Sequence, residues 1–185
     1  MAEGKKMKRF ALGDHGPHLW TRELAKDLRK SLLEVLDATE PGETIVIDLK
    51  GVEVFDYSFA NEFFGKTLLS LQGEYPGRCI IVENLKEYTR ENLSKALESL
   101  SLAMIERRGG KVEILGKIHP AYKDTFAAIA RAGHPVTASE LGDKLKLNIT
   151  AMNERLTKLK ELALVHRGEG TSKAGRQQYE YSAPE

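Results

Sequence analysis

The sequence holds a single cysteine, Cys79, set inside the apolar run Cys79-Ile80-Ile81-Val82. One thiol closes no internal disulfide and offers no thiolate cluster to a metal. This excludes a disulfide-stapled scaffold and points to a reducing compartment, with Cys79 acting as a small buried hydrophobe. Long apolar runs are missing too: nothing approaches the roughly 18 consecutive residues that a membrane helix needs. The basic segment 1–9 is not followed by the apolar stretch of a signal peptide. The expected location is cytoplasmic, with no membrane partner. Charge of one sign is also scarce. Lys and Arg number 28 against 27 Asp and Glu, a net charge of +1, so any affinity for nucleic acid must come from local placement of cations. There is no internal repeat and no low-complexity tract. With 41% apolar and 30% charged residues over 185 positions, the chain has the means for one ordinary domain or two small ones and lacks the signature of disorder.

The first half alternates strand-like and helix-like patterns. A short strand is predicted over 8–12, and a loop over 13–18. Thr21 is a candidate N-cap for a helix whose Leu24, Ala25, Leu28, Leu32, Val35 and Leu36 form one apolar stripe. Pro41-Gly42 breaks the chain before a β-branched strand over 44–49. A turn with a short extended piece over 51–56 leads into a helix over 59–71. A buried strand follows over 78–82, then a helix over 87–107, ended by Gly109-Gly110, and a last strand over 111–115. Strands alternating with amphipathic helices imply crossovers and an at least partly parallel sheet.

The pattern changes after Gly116, where the domain boundary is placed. Residues 118–132 read as a helix with Pro120 in its first turn. Thr137-Ala138-Ser139-Glu140 is a capping box opening a short helix with Leu141 and Leu145. After a break at Lys146-Leu147, Asn148 caps a second helix with Ile149, Met152, Leu156, Leu159 and Leu162 on one face. Two strands, 164–167 and 177–181, flank a Gly-rich segment that forms a hairpin with a mobile basic tip.

This order of elements, carried by "PVTASELGDKLKLNITAMNERLTKLKELALVHR" and "GRQQYEYS", resembles the winged-helix domains of bacterial and archaeal transcription regulators. The resemblance implies a recognition helix beginning at Asn148. Its outward Thr150, Asn153, Glu154, Thr157 and Lys158 would then face DNA, with Lys144, Lys146, Lys173 and Arg176 on backbone phosphates. In the first half, "TIVIDLKGVEVFDYSFANEFFGKTLLSL" resembles the domains of anti-sigma-factor antagonists (STAS), and more closely a STAS-like family of uncharacterised function, over about residues 8–115. By that resemblance Ser58 matches a serine that a partner kinase phosphorylates. Phe59 departs from the glycine usual beside it. Ser58 at a helix start would suit phosphate, since free amides and the helix dipole favour negative charge there, while Asp56 would oppose it. The plainer reading makes Ser58 an ordinary N-cap.

Other patterns carry less. Residues 60–67 formally fit a relaxed phosphate loop, but the stretch has no glycine before Gly65 and continues a helical stripe. Asp14, His15 and His18 read as a Gly-Pro loop rather than metal ligands. No nucleophile–base or paired-carboxylate arrangement stands out, so neither catalysis nor a cofactor is expected. The expected architecture is an α/β STAS-like domain with a mixed sheet over 1–116 and a small α+β winged helix over 117–185. The expected role is that of a prokaryotic transcription regulator that binds DNA, with a homodimer plausible from the same resemblance. The alternative is a protein-interaction switch at Ser58 working with a kinase-like or ATPase partner.

Overall fold

The computed structural model describes residues 7–184. Strand β1 (Met7–Ala11) opens the chain and is followed by a one-turn 3-10 segment and a two-residue strand β2 (His18–Leu19). The loop expected over 13–18 thus holds structure, because β2 pairs in parallel with a second short strand, β4 (Val54–Phe55). Helix α1 (Arg22–Asp37) begins where expected, its first turn capped by the Thr21 hydroxyl, which accepts from the Leu24 amide. It buries Ala25, Leu28, Leu32 and Leu36.

Strands β3 (Thr44–Asp48), β5 (Cys79–Glu83), β6 (Ala103–Arg108) and β7 (Lys111–Gly116) complete a five-stranded sheet of order β1-β3-β5-β6-β7. The first four strands in that order run parallel, and β7 returns antiparallel to β6. The sheet is therefore mixed. Between β4 and β5 the chain forms α2 (Tyr57–Ala60), a π-helical turn over Asn61–Gly65, and α3 (Lys66–Glu74). Four consecutive residues of the π turn, Glu62, Phe63, Phe64 and Gly65, are buried. Successive helical side chains leave the axis about 100° apart, so burying Glu62, Phe63 and Phe64 in a row requires neighbours around most of the turn, and α1 and α4 supply them. The Phe63 and Phe64 rings meet edge to face, 4.9 Å apart.

The helix predicted over 87–107 is two elements. Helix α4 (Glu87–Ser99) stops, and β6 begins four residues later. Ser101 adopts a left-handed φ of 55°, and the Leu102 amide returns to the Leu97 carbonyl at 2.8 Å while the Ser101 amide reaches Glu98 at 3.1 Å. These are the bonds of a Schellman stop, made here without the usual glycine. The short apolar run that follows has no period of its own, since β6 is buried on both faces.

Past the sheet come α5 (Pro120–Ala132), the short β8 (Val136–Thr137), α6 (Ala138–Leu145), α7 (Ile149–Glu161) and the hairpin β9 (His166–Thr171) and β10 (Gln177–Ser182). Strand β8, absent from the sequence reading, pairs with β10, giving a second sheet of order β8-β10-β9. Gly168 and Gly170, expected in the loop between the strands, lie within β9.

Alternation along the first sheet sends its two faces to different cores. Ile45, Ile47, Ile80, Val82 and Met104 join α1, α3 and α4 in one hydrophobic cluster. Ile81, Ala103, Ile105 and Ile114, on the opposite face, join Phe126, Ile129, Met152, Leu156 and Leu159 in the other. The C-terminal elements thus pack on the second face of the N-terminal sheet. A polar link supports this packing: the buried His166 ring lies 2.8 Å from the Thr44 hydroxyl through Nε2 and 3.2 Å from the Gly77 carbonyl through Nδ1. No helix among the described residues is long and apolar enough to cross a membrane.

Candidate functional site

The turn between α6 and α7 sets the geometry of the first candidate surface. Thr137 and Glu140 form the expected capping box: the Thr137 hydroxyl accepts from the Glu140 amide at 3.2 Å, and the Glu140 carboxylate accepts from the Thr137 amide at 2.7 Å. These bonds hold the Glu140 carboxyl below its ordinary pKa. Helix α6 ends on Lys146 in the left-handed region, φ 54°, and the Leu147 amide returns to the Gly142 carbonyl at 2.9 Å. The turn is close enough that a Cβ on Gly142 would sit 2.9 Å from the Leu147 carbonyl oxygen. Asn148 then starts α7 as expected, its Oδ1 accepting from the Ala151 amide at 2.9 Å.

Met152, Leu156 and Leu159 form the buried face of α7. Ile149 was expected with them but is 52% exposed. It is the first residue of the helix and lies beyond the reach of the second core. Arg155 turns back toward α5, its Nη1 donating to the Ala121 carbonyl and to the Thr125 hydroxyl at 3.3 and 3.4 Å. Thr150, Asn153, Glu154, Thr157 and Lys158 are all exposed. With Tyr122 and Glu161 they line one open cleft of 570 Å³. Tyr122 of α5 packs partly buried against the second core and also lines this cleft.

Lys144 and Lys146 are exposed at the end of α6, and Lys173 and Arg176 are exposed at the hairpin tip. That tip is a bonded turn. The Ser172 amide reaches the Arg176 carbonyl and the Gly175 amide reaches the Ser172 carbonyl, both at 2.8 Å. The sequence reading missed Arg167 on β9, whose guanidinium stacks 4.1 Å above the half-exposed Tyr179 ring, a cation–π contact. Residues 117–185 carry eleven Lys and Arg against eight Asp and Glu, whereas the first 116 carry seventeen against nineteen. The positive excess therefore sits in the C-terminal part. The outward face of α7 is itself mixed in sign, and Lys158 pairs loosely with Glu161 at 3.8 Å.

The second candidate surface is the start of α2. The cap there is Asp56, not Ser58. Its Oδ1 accepts from the Phe59 amide at 2.7 Å. Ser58 is the second residue of the helix, half-buried. Next to it Tyr57 is 51% exposed, its hydroxyl 2.8 Å from the Ser99 hydroxyl of α4.

Residues 25–93 match the family model of a STAS-like domain of unknown function. The match runs from α1 into α4 and includes the Asp56–Ser58 turn. A domain of this kind points to a regulatory or protein-interaction role. No curated protein matches the chain significantly.

The segment that fits a relaxed phosphate-loop pattern, 60–67, is helical throughout. Lys66 turns back along the helix to the buried Glu62 carboxylate at 2.6 Å, and Arg29 approaches the same group at 3.4 Å. Burial raises the Glu62 pKa, but Lys66, Arg29 and Lys26 outweigh it and leave the carboxyl below its ordinary value. A Cβ on Gly65 would meet the Leu100 side chain at 2.6 Å, so this glycine serves helix packing rather than a phosphate.

Proposed function

We propose that the C-terminal unit is a winged helix that binds duplex DNA, and that the STAS-like stretch regulates it by sensing or by binding a partner. One observation carries the reading. The side of α7 turned away from the core is exposed and bears Thr150, Asn153, Thr157 and Lys158, with basic residues at both flanks. A helix in the major groove reads bases with such side chains: the Asn amide pairs with adenine, and Glu154 accepts from cytosine N4. Lys144, Lys146, Lys173 and Arg176 supply phosphate contacts that position the helix. The mixed sign of the α7 face fits base readout, with the attraction to phosphate assigned to the flanks. This role requires no catalysis and no cofactor. Titrating a mixed-sequence duplex into 15N-labelled protein tests it. Amide shifts concentrated on α7 and the hairpin tip are expected. Shifts confined to the N-terminal sheet, or none, contradict it.

A second reading, a protein-interaction switch at Ser58, draws support from the same family match and from the exposed Tyr57 beside a half-buried serine in a first helical turn. A phosphate there would add about −1.5 to −2 charge next to Asp56. Comparing the proteins captured by the unmodified chain, Ser58→Ala and Ser58→Asp tests this reading. Identical sets for all three eliminate it.

A further inference from the structure

Where the β6–β7 hairpin of the first sheet meets α5, a cleft of 730 Å³ opens, lined by Arg107, Lys111, Val112, Ala127, Ala130 and Arg131 among others. We propose that this cleft binds a small organic carboxylate with an apolar body. Its volume lies within the range of roughly 300–1,000 Å³ found for small-molecule sites. Its walls divide by chemistry. Val112, Ala127 and Ala130 are half-buried and Ala183 is buried, and these small side chains leave an apolar trough instead of filling it. Around the trough stand three cations, Arg107, Lys111 and Arg131, against one carboxylate, Glu113.

The three cations are not equivalent. Arg107 is held by Glu83, with Nη2 and Nε at 2.6 and 2.9 Å from one carboxylate oxygen. It contributes field but no spare fork. Lys111 and Arg131 are exposed and have no carboxylate partner among the described residues. Glu113 pairs loosely with Arg90 at 3.7 Å, while Glu106 holds that arginine at 2.6 Å, so the rim carries one negative charge against three positive ones. A guanidinium and an ammonium beside a trough of methyl groups suit a ligand with a charged head and a short hydrocarbon body, because an Arg fork matches a carboxylate in two hydrogen bonds. A neutral apolar molecule would leave that match unused.

The cleft takes its walls from both parts of the chain, the β6–β7 hairpin on one side and α5 on the other. Its occupant would therefore bridge the first sheet and α5. The site stands independently of DNA binding, so it is tested without DNA.

Calorimetric titration of the full chain with octanoate and, in parallel, with octanol is the experiment. Saturable octanoate binding is expected, weakened at least tenfold in a Lys111→Gln/Arg131→Gln double variant and retained in Lys111→Arg/Arg131→Lys. An Ala130→Leu variant, which narrows the trough and leaves the cations in place, is expected to lose binding as well. Unchanged melting temperatures of the free variants establish that each is folded. Absence of saturable octanoate binding, equal affinity for octanol, or full affinity in the charge-removed variant overturns the proposal.

Discussion

The Thr44 hydroxyl lies 2.8 Å from Nε2 of His166, 122 positions later in the chain. The Gly77 carbonyl lies 3.2 Å from Nδ1, and the Cys79 sulfur on β5 lies 3.7 Å from the same nitrogen. The ring thus ties the first sheet to the hairpin through both of its nitrogens.

Replacing His166 by Ala removes a buried ring and leaves the Thr44 hydroxyl and the Gly77 carbonyl without this partner. An unsatisfied buried polar group costs about 1–3 kcal/mol, and the lost packing adds to it. His166→Ala is expected to lower the urea midpoint clearly more than Thr44→Val, which keeps the ring and its packing. A double-mutant cycle reads the coupling. Additive losses mean that the bond contributes nothing.

Gly142 is required by the α6–α7 turn. A methyl group 2.9 Å from the Leu147 carbonyl oxygen forces the turn apart, and overpacking of this kind costs roughly 1–3 kcal/mol. Gly142→Ala is expected to lower the melting temperature even though alanine is the better helix former. Gly73→Ala in α3, where nothing crowds the added carbon, serves as the control and is expected to be neutral or stabilising.

Tyr75 gives the pH dependence a sign. Its hydroxyl donates to Asp37 at 2.5 Å. That bond, with burial and the Asp37 charge, pushes its pKa up from 10.0 to about 12. A group raised on folding contributes stability that is complete below its unfolded pKa and is lost as pH rises through the folded value. The protein is therefore expected to lose stability between pH 10 and about 12, with Tyr75 titrating late by ultraviolet absorbance beside Tyr181, which burial also raises. Tyr75→Phe is expected to shrink the late step by one tyrosine. A late step of unchanged size in Tyr75→Phe contradicts the assignment.

What the sequence made legible followed periodicity and capping. Thr21, the Thr137–Glu140 box and Asn148 all cap where read, because a side-chain cap is a local bond between near neighbours. What it hid depended on distant partners or on exceptions to the glycine rule. Strands β2 and β8 exist through pairing with β4 and β10, which no local pattern encodes. The end of α4 was hidden because Ser101, not glycine, takes the left-handed position. Ser58 yielded the cap to Asp56 because the helix starts one residue after the aspartate. At the candidate DNA surface the outward face of α7 was readable from its spacing. Ile149 was not, since burial at a helix end depends on what the fold brings near it. The stacking of Arg167 on Tyr179 was equally hidden, because it rests on a cross-strand register.

Binding to a mixed duplex across a range of salt tests the central claim most directly. Four phosphate contacts from Lys144, Lys146, Lys173 and Arg176 predict micromolar or tighter affinity at low salt, with a log–log slope of roughly −3.6 at about 0.9 per contact. Arg176→Ala is expected to reduce that slope by about one unit, and Lys158→Ala to weaken binding. No binding at micromolar protein in low salt contradicts the DNA-binding role. An affinity and slope unchanged in both variants contradict the placement of its interface on α7 and the hairpin.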